Sequence, residues 1–332
     1  MKRTLILSIK ILFSVAVLWF LTHTSKLNFR LLLDLFYSPS LLAPVIALYF
    51  LVVIISSWRW HQLNNVQGIK ISFLHTIIPT YLGIAFNNLL PGGVGGDFFR
   101  CYFLFKKTPN KRSAVMLSIL VDRITGLMGV FIAVCIVAAF HMDFFNSHKS
   151  TFYFMLFCLS LCIGVIILYF ASTLLPKEVG LSDWLSKRFS EKKWLGSILS
   201  ILTAIRIYRD SKMVIAKCLS ASVIIQLFIA LTCFLIAKIM HFPEIPFVSY
   251  IIAIAVTQIV NLIPITPGGF GIGEAAFAKV LTLLNPGISA TYATIFLAYR
   301  IIGILAYLPG LAVFIFDHKL LKQNTLHEYP IG

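Results

Sequence analysis

Two glycine- and proline-rich stretches, each ending on a carboxylate, interrupt a chain that is otherwise apolar enough for a membrane. The first is N-L-L-P-G-G-V-G-G-D at residues 88–97, and the second is N-L-I-P-I-T-P-G-G-F-G-I-G-E at residues 261–274. Each opens on an asparagine, Asn88 or Asn261, and closes on an acid, Asp97 or Glu274. An arginine, Arg123 or Arg300, follows in the next apolar run. The two acids are 177 residues apart, as are the two arginines, and the Pro-Gly-Gly triplets are 176 apart. Hydrocarbon tolerates broken backbone only where it is buried in protein or lines a polar cavity. Paired broken segments in corresponding halves are also the sequence-level pointer to a transporter's binding site. The near-repeat therefore predicts helices arranged around two interruptions, and it marks a site.

Composition sets the class. Of 332 residues, 59% are hydrophobic and only 12% charged, about half the charged fraction of a soluble domain. Several apolar runs reach the roughly 17–25 residues that span hydrocarbon as a helix. The expected fold is all-α: a polytopic membrane protein with about eight transmembrane helices and two Pro/Gly-broken re-entrant segments in an internal repeat. The runs fall near 4–22, 41–58, 72–90, 113–140, 152–175, 213–240, 247–264 and 288–316. Residues 91–105 and 265–284 each read as a loop feeding a short helix. The run from Thr4 to Thr22 is long for a signal-peptide core and reads as the first span.

One membrane domain over 1–332 is expected, with repeat halves of approximately 70–140 and 247–316. Residues 176–212 mix basic and large apolar side chains, which suits either an amphipathic helix on an anionic membrane surface or a solvated loop. Lys2 and Arg3 favour a cytoplasmic N-terminus. The basic connections 100–112 and 176–212 favour the opposite side in a simple eight-span order, so whether the repeats are parallel or inverted stays open. The formal net charge of +16 lies in short loops, as topology signals and anionic-lipid contacts do, and no nucleic-acid partner is expected. Six scattered cysteines without a CxxC pair give no disulfide framework or zinc site. Trp58 and Trp60, flanking Arg59, read as an interfacial aromatic belt.

Ionisable groups within spans cost roughly 2.5–3.5 kcal/mol on insertion scales and face a cavity or a partner. Asp97 and Glu274 follow glycine-rich breaks. A half-helix starting there would offer its N-terminus to an anionic group such as a phosphate; alternatively, the acid caps its own helix. Arg123 and Arg300 lie too deep to snorkel easily. They read as ion-pair partners of Asp97 and Glu274, as a bidentate grip on a lipid phosphate, or as both in competition. Asn88 and Asn261 satisfy freed backbone groups or touch ligand. No GxSxG, HExxH, Walker A or strand-borne GxGxxG motif is present, so enzymatic chemistry is not favoured, and no cofactor or metal is expected.

The stretch from Asn88 to Arg100, then V-D-R at 121–123 and P-G-G-F-G-I-G-E at 267–274, resembles the lysylphosphatidylglycerol synthase transmembrane-region family, also called flippase-like. The similarity covers about 10–315. In the bacterial multiple peptide resistance factor, a similar membrane region moves aminoacylated phosphatidylglycerol between leaflets and a separate cytosolic domain makes that lipid. This chain carries no synthetase domain, so aminoacyl transfer is not expected. By resemblance, Asn88, Asp97, Arg100, Asp122, Arg123, Asn261, Glu274 and Arg300 are the candidate substrate-binding residues.

The expected function is a lipid flippase or transporter of the cytoplasmic membrane, moving an anionic or lipid-linked amphiphile between leaflets. The expected partner is a membrane phospholipid or a polyprenyl- or hopanoid-type lipid, bound through an anionic headgroup. The alternatives are a membrane enzyme of lipid-linked glycan or lipid modification, and a partner subunit working with a lipid-biosynthesis enzyme.

Overall fold

A computed structural model of the chain describes Trp19, His23 and residues 31–37, 39–89, 95–147, 149–174, 207–209, 211–263, 265–266, 268–286, 288 and 291–316. These residues contain helices and no strand. The first expected span (4–22) except Trp19, most of the amphipathic region (176–212), most of the first break and both prolines of the second motif lie outside the described residues.

The helices are α1 (Leu31–Tyr37), α2 (Pro39–Val66), α3 (Leu74–Leu89), α4 (Gly95–Lys107), α5 (Arg112–Phe140), α6 (Met142–Ser147), α7 (Lys149–Leu174), α8 (Lys212–Ile239), α9 (Phe247–Asn261), α10 (Ile272–Leu284) and α11 (Ala293–Phe316). Four of them are long and apolar enough to cross a membrane, over Leu42–Val66, Pro109–Phe140, Lys149–Ile167 and Lys212–Ile239. Phe247–Asn261 and Ala293–Tyr307 are shorter apolar helices. The chain is therefore an all-α polytopic membrane protein. Each glycine-rich stretch leads into a 13-residue helix, α4 or α10, half the length of a full span. Leu156, Leu159, Ile163, Ile166 and Ile167 on α7 all face outward, as a lipid-facing helix requires.

Two compact units divide the chain. The first comprises 1–58, 72–110 and 224–332; the second comprises 59–71 and 111–223. In the first unit α3 packs on both α4 and α11, and α10 packs on α9 and α11. An aromatic column holds the α2–α11 contact. Tyr49 stacks on Tyr299 and meets Tyr307 edge-on, and its hydroxyl donates to the Tyr299 carbonyl. Tyr81 of α3 meets Tyr307 edge-on and donates to the Ala306 carbonyl at 2.7 Å. Phe277 of α10 stacks on Phe296 of α11.

In the second unit α5 packs on α6 and α7. Leu63, Val121, Tyr208 and Cys218 form a buried cluster. Gly129 lets α5 approach α8 so closely that a Cβ there would overlap Ser222. Trp60 is fully buried and donates its indole N–H to Ser118 Oγ at 3.2 Å. The belt reading therefore fails for Trp60. Helix α2 runs eight residues beyond the apolar segment that ended at Trp58, which carries Arg59 and Trp60 into the interior.

Candidate functional site: two glycine breaks and three arginines

The second break is held from three directions. Gly268, Gly269 and Gly271 have φ of +57°, +74° and +82°, a left-handed run that glycine adopts without a Cβ penalty. The run turns the chain from α9 into α10. At its end the Gly271 N–H donates to Glu274 Oε2 at 2.6 Å, so the acid caps its own helix. The helix N-terminus that could have taken a substrate anion is thus taken by Glu274.

The other carboxylate oxygen, Oε1, lies 3.1 Å from Arg300 Nε, a close ion pair whose N–H is not aligned as a hydrogen bond. Glu274 is fully buried and Arg300 is 7% exposed. Arg300 Nη1 donates to the Gly268 carbonyl at 2.6 Å and Nη2 to the Gly269 carbonyl at 3.1 Å. Its guanidinium sits 4.7 Å from the Phe270 ring centroid and 4.9 Å from that of Phe296, an arrangement that stabilises a desolvated cation. A guanidinium has five N–H donors. Two of them donate to the Gly268 and Gly269 carbonyls, and the Nε–H beside Glu274 has no aligned acceptor among the described residues. Asn261, the last residue of α9, packs its Oδ1 against Gly269 and Gly273, and that buried oxygen has no hydrogen-bond donor among the described residues.

The first break follows the same plan with different partners. Gly96, the residue before the acid, donates its N–H to Asn87 Oδ1 at 2.9 Å. Gly83 of α3 and Gly96 of α4 touch backbone to backbone, so a Cβ on Gly96 would collide with the Gly83 carbonyl. Arg100 runs alongside Gly83 and pairs with Asp97 at 3.5 Å within the first turns of α4. Asn88 occupies the last turn of α3, and its side chain lies outside the described residues. Asn87, which sequence reasoning passed over, makes the contact. An asparagine doublet at a helix end signals that one of the two caps the break, without saying which.

The third arginine belongs to the second unit. Asp122 is buried and accepts from Arg59 Nε at 2.8 Å, while Arg59 Nη1 donates to Ser222 Oγ at 2.8 Å. Arg123 stands on the exposed side of α5. The expectation that Arg123 matches Arg300 as a buried cation is thereby corrected. Successive helical residues point about 100° apart, and here the acid, not the arginine, points inward. Among the described residues of this unit, the buried cation is Arg59.

The helices and the charged breaks define a polytopic membrane protein whose glycine interruptions are cross-braced by buried arginines. The chain belongs to the lysylphosphatidylglycerol synthase TM region family, with a match over residues 7–310. It is 22% identical over 330 residues to the UPF0104 membrane protein MJ1595 of Methanocaldococcus jannaschii, covering 94% of this chain and 95% of that one. It is 29% identical over 136 residues to the UPF0104 membrane protein PH1989 of Pyrococcus horikoshii, covering 40% and 39% of the two chains.

Proposed function

We propose that this protein moves an anionic or lipid-linked amphiphile between the leaflets of the cytoplasmic membrane. The observation that carries the reading is Arg300, a buried cation beside a broken helix whose two Nη groups hold the glycine loop while its Nε has no aligned acceptor among the described residues. A phosphate has the geometry to engage a guanidinium through two parallel hydrogen bonds. Glu274 holds the arginine in place and balances its charge until a headgroup competes for it. The lipid tails stay in the bilayer, and only the headgroup crosses along the polar break. Family membership supports a role in lipid biology, since the family takes its name from a lipid synthase.

The test is reconstitution of the purified chain into vesicles with a fluorescent phospholipid, followed by quenching from outside and analysis of the recovered lipid. Leaflet exchange above that of empty vesicles, with the lipid chemically intact, is the expected result. A modified lipid would replace the reading with an enzymatic one, and the absence of exchange across a panel of anionic lipids would overturn it.

A further inference from the structure

We infer that the last turn of α2 carries an internal water-binding site centred on Asn64, which brings aqueous solvent close to the Arg59–Asp122 ion pair. Asn64 has no solvent exposure, yet neither Oδ1 nor Nδ2 has a hydrogen-bond partner within the protein among the described residues. Gln67, one turn along the same face of the helix, turns its side-chain amide toward the Tyr208 hydroxyl.

The polar groups around these two amides are satisfied. Tyr208 Oη donates to the Leu63 carbonyl at 2.9 Å, and the Asn64 carbonyl accepts from the Ile69 N–H at 2.9 Å. Trp60 is held by Ser118, and Arg59 by Asp122 and Ser222. A buried amide with nothing to bond loses its hydration without compensation, and proteins almost always supply a partner, protein or water. Asn64 alone offers one acceptor and two donors. That number matches the two to four bonds of a typical buried water.

The location supplies the source. Lys111 Nζ donates to the Gly68 carbonyl at 2.5 Å, and Gly68, Lys70 and Lys111 are exposed. Because lysine ammonium groups sit in water or headgroups, this end of the unit faces the aqueous side. Asn64 lies one turn inside it. Arg59 lies five residues further along α2, about 7 Å at 1.5 Å per residue. Polar side chains thus run inward from Lys111 through Gln67 and Asn64 to Ser118 and then to Arg59, Asp122 and Ser222. Water on Asn64 fills the gap in that column. The inference does not depend on lipid movement.

Hydroxyl-radical footprinting of the reconstituted full-length chain tests it, because radicals formed from bound water oxidise the side chains beside it. Tyr208 and Tyr250 are the same residue type and nearly equal in exposure, 3% and 2%. Bound water predicts Tyr208 oxidised several-fold faster than Tyr250, with Trp60 also labelled. Asn64→Leu should bring Tyr208 down to the rate of Tyr250, whereas the small polar Asn64→Ser should keep it high. Equal rates at the two tyrosines in the wild type, or labelling of Tyr208 unchanged by Asn64→Leu, overturns the inference. A thermal melt gives a second reading. A dry, unbonded amide predicts that Asn64→Leu raises Tm, and that rise would equally overturn it.

Discussion

Glu274 uses its two carboxylate oxygens for two partners: Oε2 accepts the Gly271 N–H at 2.6 Å and Oε1 faces Arg300 Nε at 3.1 Å. One side chain thereby ends the glycine loop and fixes the cation that braces it. Arg300→Ala would leave a fully buried carboxylate without its counter-charge. Removing one member of a buried pair costs about 3–5 kcal/mol, so a large fall in Tm in detergent is expected. An unchanged melt would show that the loop holds itself.

Arg59 and Arg123 make opposite predictions although both are arginines in long helices. Arg59→Ala strips the buried Asp122 of its partner and should destabilise by about 3–5 kcal/mol. Arg123→Ala removes an exposed side chain, and surface substitutions usually change stability by roughly 0.5 kcal/mol or less. Parallel melts of the two variants check the order, and a larger loss at Arg123 would contradict it.

The contact between Gly83 and Gly96 leaves no room for a methyl group, because the obstacle is backbone. Gly96→Ala should therefore push α3 and α4 apart, at the cost of about 1–3 kcal/mol typical of overpacking. Gly303→Ala, whose new methyl would meet the side-chain rings of Tyr49 at 3.1 Å and Tyr307 at 3.8 Å, should be milder. Comparing the two melts separates a rigid neighbour from a yielding one.

Gln226 of α8 and Gln258 of α9 bond each other reciprocally, at 3.4 Å and 2.5 Å. Either single change to leucine strands the remaining amide, while the double change removes both polar groups. The double variant should be more stable than the sum of the singles implies, with a coupling of about 0.5–3 kcal/mol. Additive losses would mean the pair contributes nothing as a pair.

Much of this was legible in the sequence, and what was missed has a common cause. Apolar run lengths marked α3, α5, α7, α8, α9 and α11 to within about five residues, and α2 apart from its last eight. The P-G-G-F-G-I-G-E string announced a loop only glycine could make, and the spacing to Arg300 announced its ion pair. The errors arose wherever the direction of a side chain mattered. In the Asp122–Arg123 and Asn87–Asn88 neighbours, helical rotation decides which residue faces inward, and only packing fixes that rotation. Arg59 was hidden differently. The tryptophans on either side mimic an interfacial belt, and nothing in hydropathy says that α2 continues to Val66 through polar residues.

If the Arg300 fork serves a headgroup as well as the loop, lipid exchange depends on its planar shape. The most direct test is the rate of phospholipid exchange in vesicles holding wild type, Arg300→Lys or Arg123→Ala, each confirmed folded by its elution profile and melt. Lysine keeps the charge but not the planar fork. Exchange is expected in the wild type and in Arg123→Ala, with its loss in folded Arg300→Lys. Wild-type exchange rates in Arg300→Lys would contradict that dependence.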